Sequence, residues 1–279
     1  MEPVMARKMW RTLEPYHGLI YFAPEAEDEY AALGIIGRDG YFASRAAALG
    51  AVPAEVVIAT FFNFSPVLVR RAIPSAWRSA SPASIVEARL RAVDAALRRT
   101  LGEEVVGPGM TRAAELARVA AEACAPGARV LFAAHASLSW PAEPHLVLWH
   151  AVSLLREFRG DGHLAVLIDA GLDGLGALVL HAALGEVPRA VLQSTRGWTD
   201  AEWAASASHL LQRGIVDGDG QLTTAGAALR EHIEARTDAL AMAPWQALGD
   251  AGCDDLRGLV RPWSRAIVES GTFGVPPAR

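Results

Sequence analysis

The stretch from Thr199 to Ala241, "TDAEWAASASHLLQRGIVDGDGQLTTAGAALREHIEARTDALA", constrains the fold more than any other. Thr199 followed three residues later by Glu202 is a capping box, and Gly214 closes the helix that it opens. "IVDGDGQLT" then reads as an apolar strand, an Asp-Gly-Asp-Gly turn and the start of a second strand, a short hairpin. "TAGAALREHIEARTDALA" ends the stretch as a long helix. Upstream, "PHLVLWHAVSLLREF", "GHLAVLIDAGL" and "GLGALVLHAALG" read as three apolar-faced helices. Arg159 and Gly160 would end the first, Asp161 would cap the second, and Gly185 would end the third. Helices, hairpin and long helix in this order predict a winged helix-turn-helix.

The first half reads as a helical bundle. A helix before Pro15, one from Pro24 to near Gly34, and one from Pro53 that stops ahead of Pro66 are marked by proline and glycine. In "SPASIVEARLRAVDAALRRTLG" Ser81 is the cap, Pro82 takes the first helical position and Gly102 is the stop. "TRAAELARVAAEACAPG" repeats the design with Thr111 as cap. Between them "EEVVGPGM" sets two glycines around a proline and serves as a hinge. The expected fold class is therefore mainly α, with a helical domain over 1–106 and a winged-helix-like domain with a short β-hairpin wing over 107–279.

From "HLLQRGIVDGDGQLTTAGAALREHIEARTD" onward the second half resembles the MarR-type winged-helix regulators. Leu210, Leu211, Arg213, Gly214, Ile215, Leu222, Thr223 and Gly226 fall on that family's Leu-x-x-Arg-Gly step and Leu-Thr-x-x-Gly wing. The whole chain also resembles a family of actinobacterial proteins described only as helix-turn-helix proteins. The resemblance implies a dimer that places a recognition helix in the major groove and basic wings on the backbone. The sequence departs from it in charge. The wing carries Asp217 and Asp219, and residues 163–241 hold ten acids against five arginines. Phosphate neutralisation supplies most non-specific DNA affinity, so DNA is a disfavoured partner, while a homodimer stays open.

Net charge is −5, and Lys8 is the only lysine. Cys124 and Cys253 make neither a disulfide framework nor a thiolate cage. Apolar runs are broken by Pro141, Pro144 and histidines before membrane-span length, and the N-terminal residues lack a signal-peptide pattern, so a cytoplasmic protein is expected. No dinucleotide fingerprint, phosphate loop or Gly-x-Ser-x-Gly elbow occurs. No His-Glu-x-x-His run occurs either, so no metal ligand is assigned, and the cofactor is unknown.

The candidate chemistry lies in "WHAVSLLREFRGDGH", residues 149–163. On a helix His145, Trp149, Ser153 and Arg156 share one face, with His150 and Glu157 on the next. Arg156, Arg159, Asp161 and His163 can converge in two ways. One is an interhelical clamp, in which an arginine pairs with Asp161 or Glu157. The other is an anion or polar-ligand site, with Arg156 or Arg159 as the fork and His150 or His163 moving a proton. A second set, Tyr16, His17, Tyr21, Arg45 and Asn63 beside three phenylalanines, is either core or the wall of a pocket between the halves, and Trp198 is either core packing or its closure. The sites expected are therefore His17, His150 and His163 as acid-base groups. Tyr16, Tyr21, Arg45, Asn63, His145, Trp149, Arg156, Arg159, Asp161 and Trp198 are expected to contact a small aromatic or anionic molecule. The function this implies is small-molecule binding on a repurposed winged-helix scaffold, extending to an enzyme of specialised metabolism. The alternative is a ligand-responsive DNA-binding regulator.

Overall fold

The computed structural model describes residues 1–274. Its first seven helices are α1 (Val4–Gly18), α2 (Pro24–Ala31), α3 (Arg38–Ala46), α4 (Ala54–Phe61), α5 (Pro66–Ala72), α6 (Ser75–Ser79) and α7 (Pro82–Leu101). Four more follow: α8 (Pro108–Glu122), α9 (Val130–Ala136), α10 (Pro144–Asp169) and α11 (Gly174–Ala182). The chain then runs through α12 (Arg189–Arg196), α13 (Asp200–Gln212), α14 (Thr224–Leu240) and α15 (Ala243–Glu269). No strand forms among the described residues, so the fold is all-α. The expected β-hairpin wing is reduced to one antiparallel bridge between Val216 and Leu222. The reason is local. Asp217 Oδ1 accepts from the backbone N–H of Asp219 and Gln221, an Asx-type turn that spends the residues a ladder would need.

The capping signals place the long helices. Ser81 accepts from Ser84 N at 3.1 Å, and α7 ends on Gly102 at φ 56°. Thr199 and Glu202 form the full capping box of α13. α8 instead starts from Gly107 with Pro108 in its first turn, so Thr111 lies inside it; proline there is already set for helical φ. Pro15 does not end α1, which runs three residues past it.

Two hydrophobic cores form. The larger is built from Ala6 to Phe158 and again from Ala241 to Ile267, so the last helix returns to pack on α1 and α8. The smaller is built from Val166 to Ile233. α10 belongs to both, its first half in the larger core and Val166 and Leu167 in the smaller.

α10 also corrects the expected break at Arg159 to Asp161, because all 26 of its residues are helical. Asp161 caps a different helix: its Oδ2 accepts from Phe132 N at 2.9 Å, in the first turn of α9. Gly162 makes room rather than a turn. A Cβ there would stand 2.6 Å from Arg129 Nη1. That guanidinium donates to Phe158 O, and at 2.8 Å to Leu240 O at the end of α14. A segment that reads locally as a stop is held helical by partners from α9 and α14. No single helix among the described residues is long and apolar enough to cross a membrane.

Candidate functional site

A cavity of about 880 Å³ lies between the two cores. α1, α3, the end of α4 and the loop after it supply one wall, and α11, α12 and α14 supply the other, with α10 along the floor. Among the expected site residues Arg45, Asn63, Arg156, Arg159, Asp161 and His163 line it.

Its floor is an ion cluster built on one carboxylate. Arg45 meets Glu157 with two bonds, Nε to Oε1 at 3.0 Å and Nη2 to Oε2 at 2.7 Å, while Arg156 Nη1 reaches Oε1 at 3.0 Å. Burial alone would raise the Glu157 carboxyl, but Arg45 and Arg156 outweigh it and hold it well below the usual range. Glu14 stands 3.7 Å from Arg156, and burial pushes its carboxyl up despite that partner. Two guanidiniums thus share one firmly ionised acid, with Glu14 beside Arg156 as the second carboxyl of the cluster. Farther along, Asp238 receives Arg7 Nη2 at 2.7 Å and Arg159 Nη1 at 2.7 Å. The second is a close ion contact without hydrogen-bond geometry.

His163 lies beside this second cluster. Thr237 Oγ1 donates to Ile233 O at 2.7 Å, so its lone pair accepts from His163 Nδ1–H at 2.9 Å. The lone pair of Nε2 then has no partner among the described residues. Burial, with Arg230 and Arg159 nearby, lowers the imidazole to about 4 even though Glu234 pulls the other way. At neutral pH His163 offers the cavity an acceptor, not a proton.

The other expected residues sit in the larger core, except Trp198, which packs against the smaller one. Ser153 Oγ donates to Trp149 O, so it accepts from His17 Nδ1 at 2.9 Å, and His17 Nε2 accepts from Tyr21 OH at 3.0 Å. Arg89 extends the chain, reaching Tyr21 OH at 3.1 Å and His135 Nε2 at 3.2 Å. Every link assigns a neutral imidazole, and burial holds His17 well below its ordinary value. Trp149 stacks on the His17 ring at 5.9 Å. His145 Nε2 meets Asp94 at 2.6 Å, and Tyr16 OH donates to His145 O at 3.1 Å. His150 packs edge-on against Trp140 at 4.7 Å, with its Nε2 buried and unpartnered. None of these seven lines the cavity, Trp198 included: its Nε1 donates to Asn63 O at 2.9 Å.

Sequence reading took the phenylalanines around Asn63 as a candidate pocket wall and missed Arg7, Arg11 and Arg230. Tyr41, Phe61 and Phe64 form an aromatic wall with ring centroids 5.4 to 6.3 Å apart. Arg45 lies 4.6 Å over Phe61, and Arg196 lies 4.8 Å over Phe64. Arg7, Arg11 and Arg230 add charge. Clustered phenylalanines in "FFNFSP" were a usable signal; the arginines, spread over the whole chain, gave none. Among the described residues no group of three or more His, Cys, Asp or Glu is placed to hold a metal ion.

α12 and α13 are joined through Gly197, left-handed at φ 76°, Trp198 and the cap Thr199. The exposed residues of α13 are Asp200, Ala201, Glu202, Ala204, Ala205, Ser208, His209, Leu211 and Gln212. Arg213 turns back to donate to Gly171 O at 2.6 Å and Ala170 O at 3.0 Å. Two helices joined by a short glycine turn and followed by a long supporting helix define a helix-turn-helix protein. The chain belongs to a helix-turn-helix family, whose model matches residues 6–274. No curated protein and no solved structure matches it.

Proposed function

We propose that the chain binds a small molecule with an apolar or aromatic body and a negative charge in the cavity between its cores. The observation that carries this reading is the cavity itself. It has the size of small-molecule sites, and its floor sets Arg45 and Arg156 against one firmly ionised carboxylate, beside a wall of three aromatic rings. The helix-turn-helix unit, whose core runs from Val166 to Ile233, acts as one wall of the site. Binding rather than catalysis is the better account, because His17 and His150 lie away from the cavity and His163 is a weak base.

Membership of a helix-turn-helix family favours a second reading, a ligand-responsive DNA-binding regulator with the same cavity as effector site; its MarR type and a dimeric state rest on the sequence resemblance alone. Against it, the exposed residues of α13 include the acids Asp200 and Glu202 and no lysine or arginine, and Arg213 just after the helix is spent on the backbone of 170–171. The test is fluorescence titration with anilinonaphthalene sulfonate, an aromatic anion that brightens in apolar sites. Saturable one-to-one binding that is lost in the cavity-filling variants Ala177→Trp and Ala227→Trp supports the proposal. Binding that both variants leave intact overturns it.

A further inference from the structure

Apart from the exposed Arg11, Arg196 is the one guanidinium lining the cavity that has no carboxylate partner among the described residues. Arg45, Arg156, Arg159, Arg7 and Arg230 each lie within 4 Å of a carboxylate; Arg196 has none among the described residues. Its Nη1 donates to the neighbouring Thr195 Oγ1 at 3.0 Å. Its Nε is buried with no partner at all. The charges that bear on it are the cations Arg45, Arg156 and Arg38, with the Tyr41 phenol as the one opposing group. Burial first, and these cations next, lower its affinity for its own proton. An unpaired buried donor costs free energy, and a guanidinium in cationic surroundings costs more. An anion at the free terminal nitrogen Nη2 offsets the cationic surroundings, and a turn of the side chain that brings Nε to the same anion completes the two-bond fork that guanidinium and carboxylate favour.

The position of Arg196 adds a consequence. It is the last residue of α12, and its carbonyl accepts from Ser65 N at 2.8 Å. Gly197 packs on Leu68, and Trp198 binds Asn63 O, so the turn before α13 already rests on the loop that bears Phe62 and Phe64. Phe62 in that loop has φ 51°, a strained value for a side chain of its size.

We infer that Arg196 is the anion-binding point of the cavity, taking the carboxylate or sulfonate of an aromatic acid whose ring lies against Phe64 and Phe61. The bound anion fastens the turn between α12 and α13 to the helical body. This rests on the cavity reading proposed above.

The test compares anilinonaphthalene sulfonate with its uncharged counterpart N-phenylnaphthylamine. The wild type should bind the sulfonate at least about 10-fold more tightly, the usual scale of a charge-assisted pair. Arg196→Gln should erase that preference while leaving the neutral probe within about 2-fold, and Arg196→Lys, which keeps the charge but not the fork, should restore part of it. Amide exchange over 189–212 should slow on adding the sulfonate to the wild type and not to either variant's level of the neutral probe. If Arg196→Gln fails to fold, the lysine variant and the two-probe comparison in the wild type decide. A charge preference that survives both variants overturns the role of Arg196 and leaves the cavity reading standing. If neither probe binds the wild type, both fall.

Discussion

Glu157 is a single carboxylate, 1% exposed, between two guanidiniums. Removing one member of a buried ion cluster leaves the others uncompensated, at a typical cost of about 3–5 kcal/mol. Glu157→Gln should therefore lower stability by roughly that amount. Urea unfolding measures it, and a loss below about 1 kcal/mol would show that the floor does not depend on this carboxylate. At this scale Arg156, Arg159, Asp161 and His163 were legible because one helix carries them all within eight residues. Arg196 was not, since its role comes from Phe64 and from the absence of an acid, both fixed by tertiary packing. His17 and His150 illustrate the limit of the method. A histidine on an apolar helix signals a polar partner, and Ser153, Tyr21 and Trp140 supply partners inside a core as well as a cavity would.

Helix α10 shows where local signals yield. Arg-Gly-Asp-Gly is a stop by itself, yet Arg129 and the first turn of α9 hold it helical, and no sequence pattern announces partners thirty residues away. The two glycines consequently differ. A Cβ at Gly160 meets only Glu157 Oε2, at 3.8 Å, whereas at Gly162 it displaces Arg129. Gly160→Ala should stabilise by about 0.5–1 kcal/mol, the ordinary helix gain. Gly162→Ala should destabilise, by about 1–3 kcal/mol, as Arg129 loses its carbonyls. Thermal melts of the pair decide, and equal shifts of one sign would contradict the packing. The caps of α7 and α13 were legible because capping is local chemistry. The wing was not, because Asp217 closes its turn too tightly for a ladder, and α12 and α15 lack the capping side chains that would announce them.

Across the whole molecule, His17, His135, His150 and His163, with His181 lowered the same way, set the response to acid. His135, His150 and His163 are lowered to about 4, each by burial first, and His17 lies well below its ordinary value. Unfolded histidines titrate near 6.5, so between there and 4 the unfolded chain binds more protons. The stability these groups contribute is complete above about pH 6.5 and falls as pH drops, by about 1.4 kcal/mol per pH unit for each. Asp161 and Glu14, raised by burial, oppose this trend in part. Urea unfolding at pH 7 and pH 5 should show a loss of several kcal/mol, and a flat profile would contradict the neutral buried histidines. Charge at this scale also bears on DNA. A random duplex at low salt, where electrostatic binding is most generous, should not bind at micromolar concentration; salt-sensitive binding there would restore the regulator reading.

The site between the cores is tested most directly by a crystal structure of the protein grown with anilinonaphthalene sulfonate. The account expects the probe in the cavity, its ring on Phe64 and its sulfonate on Arg196. A probe bound elsewhere, with the cavity unoccupied at saturating concentration, would contradict it.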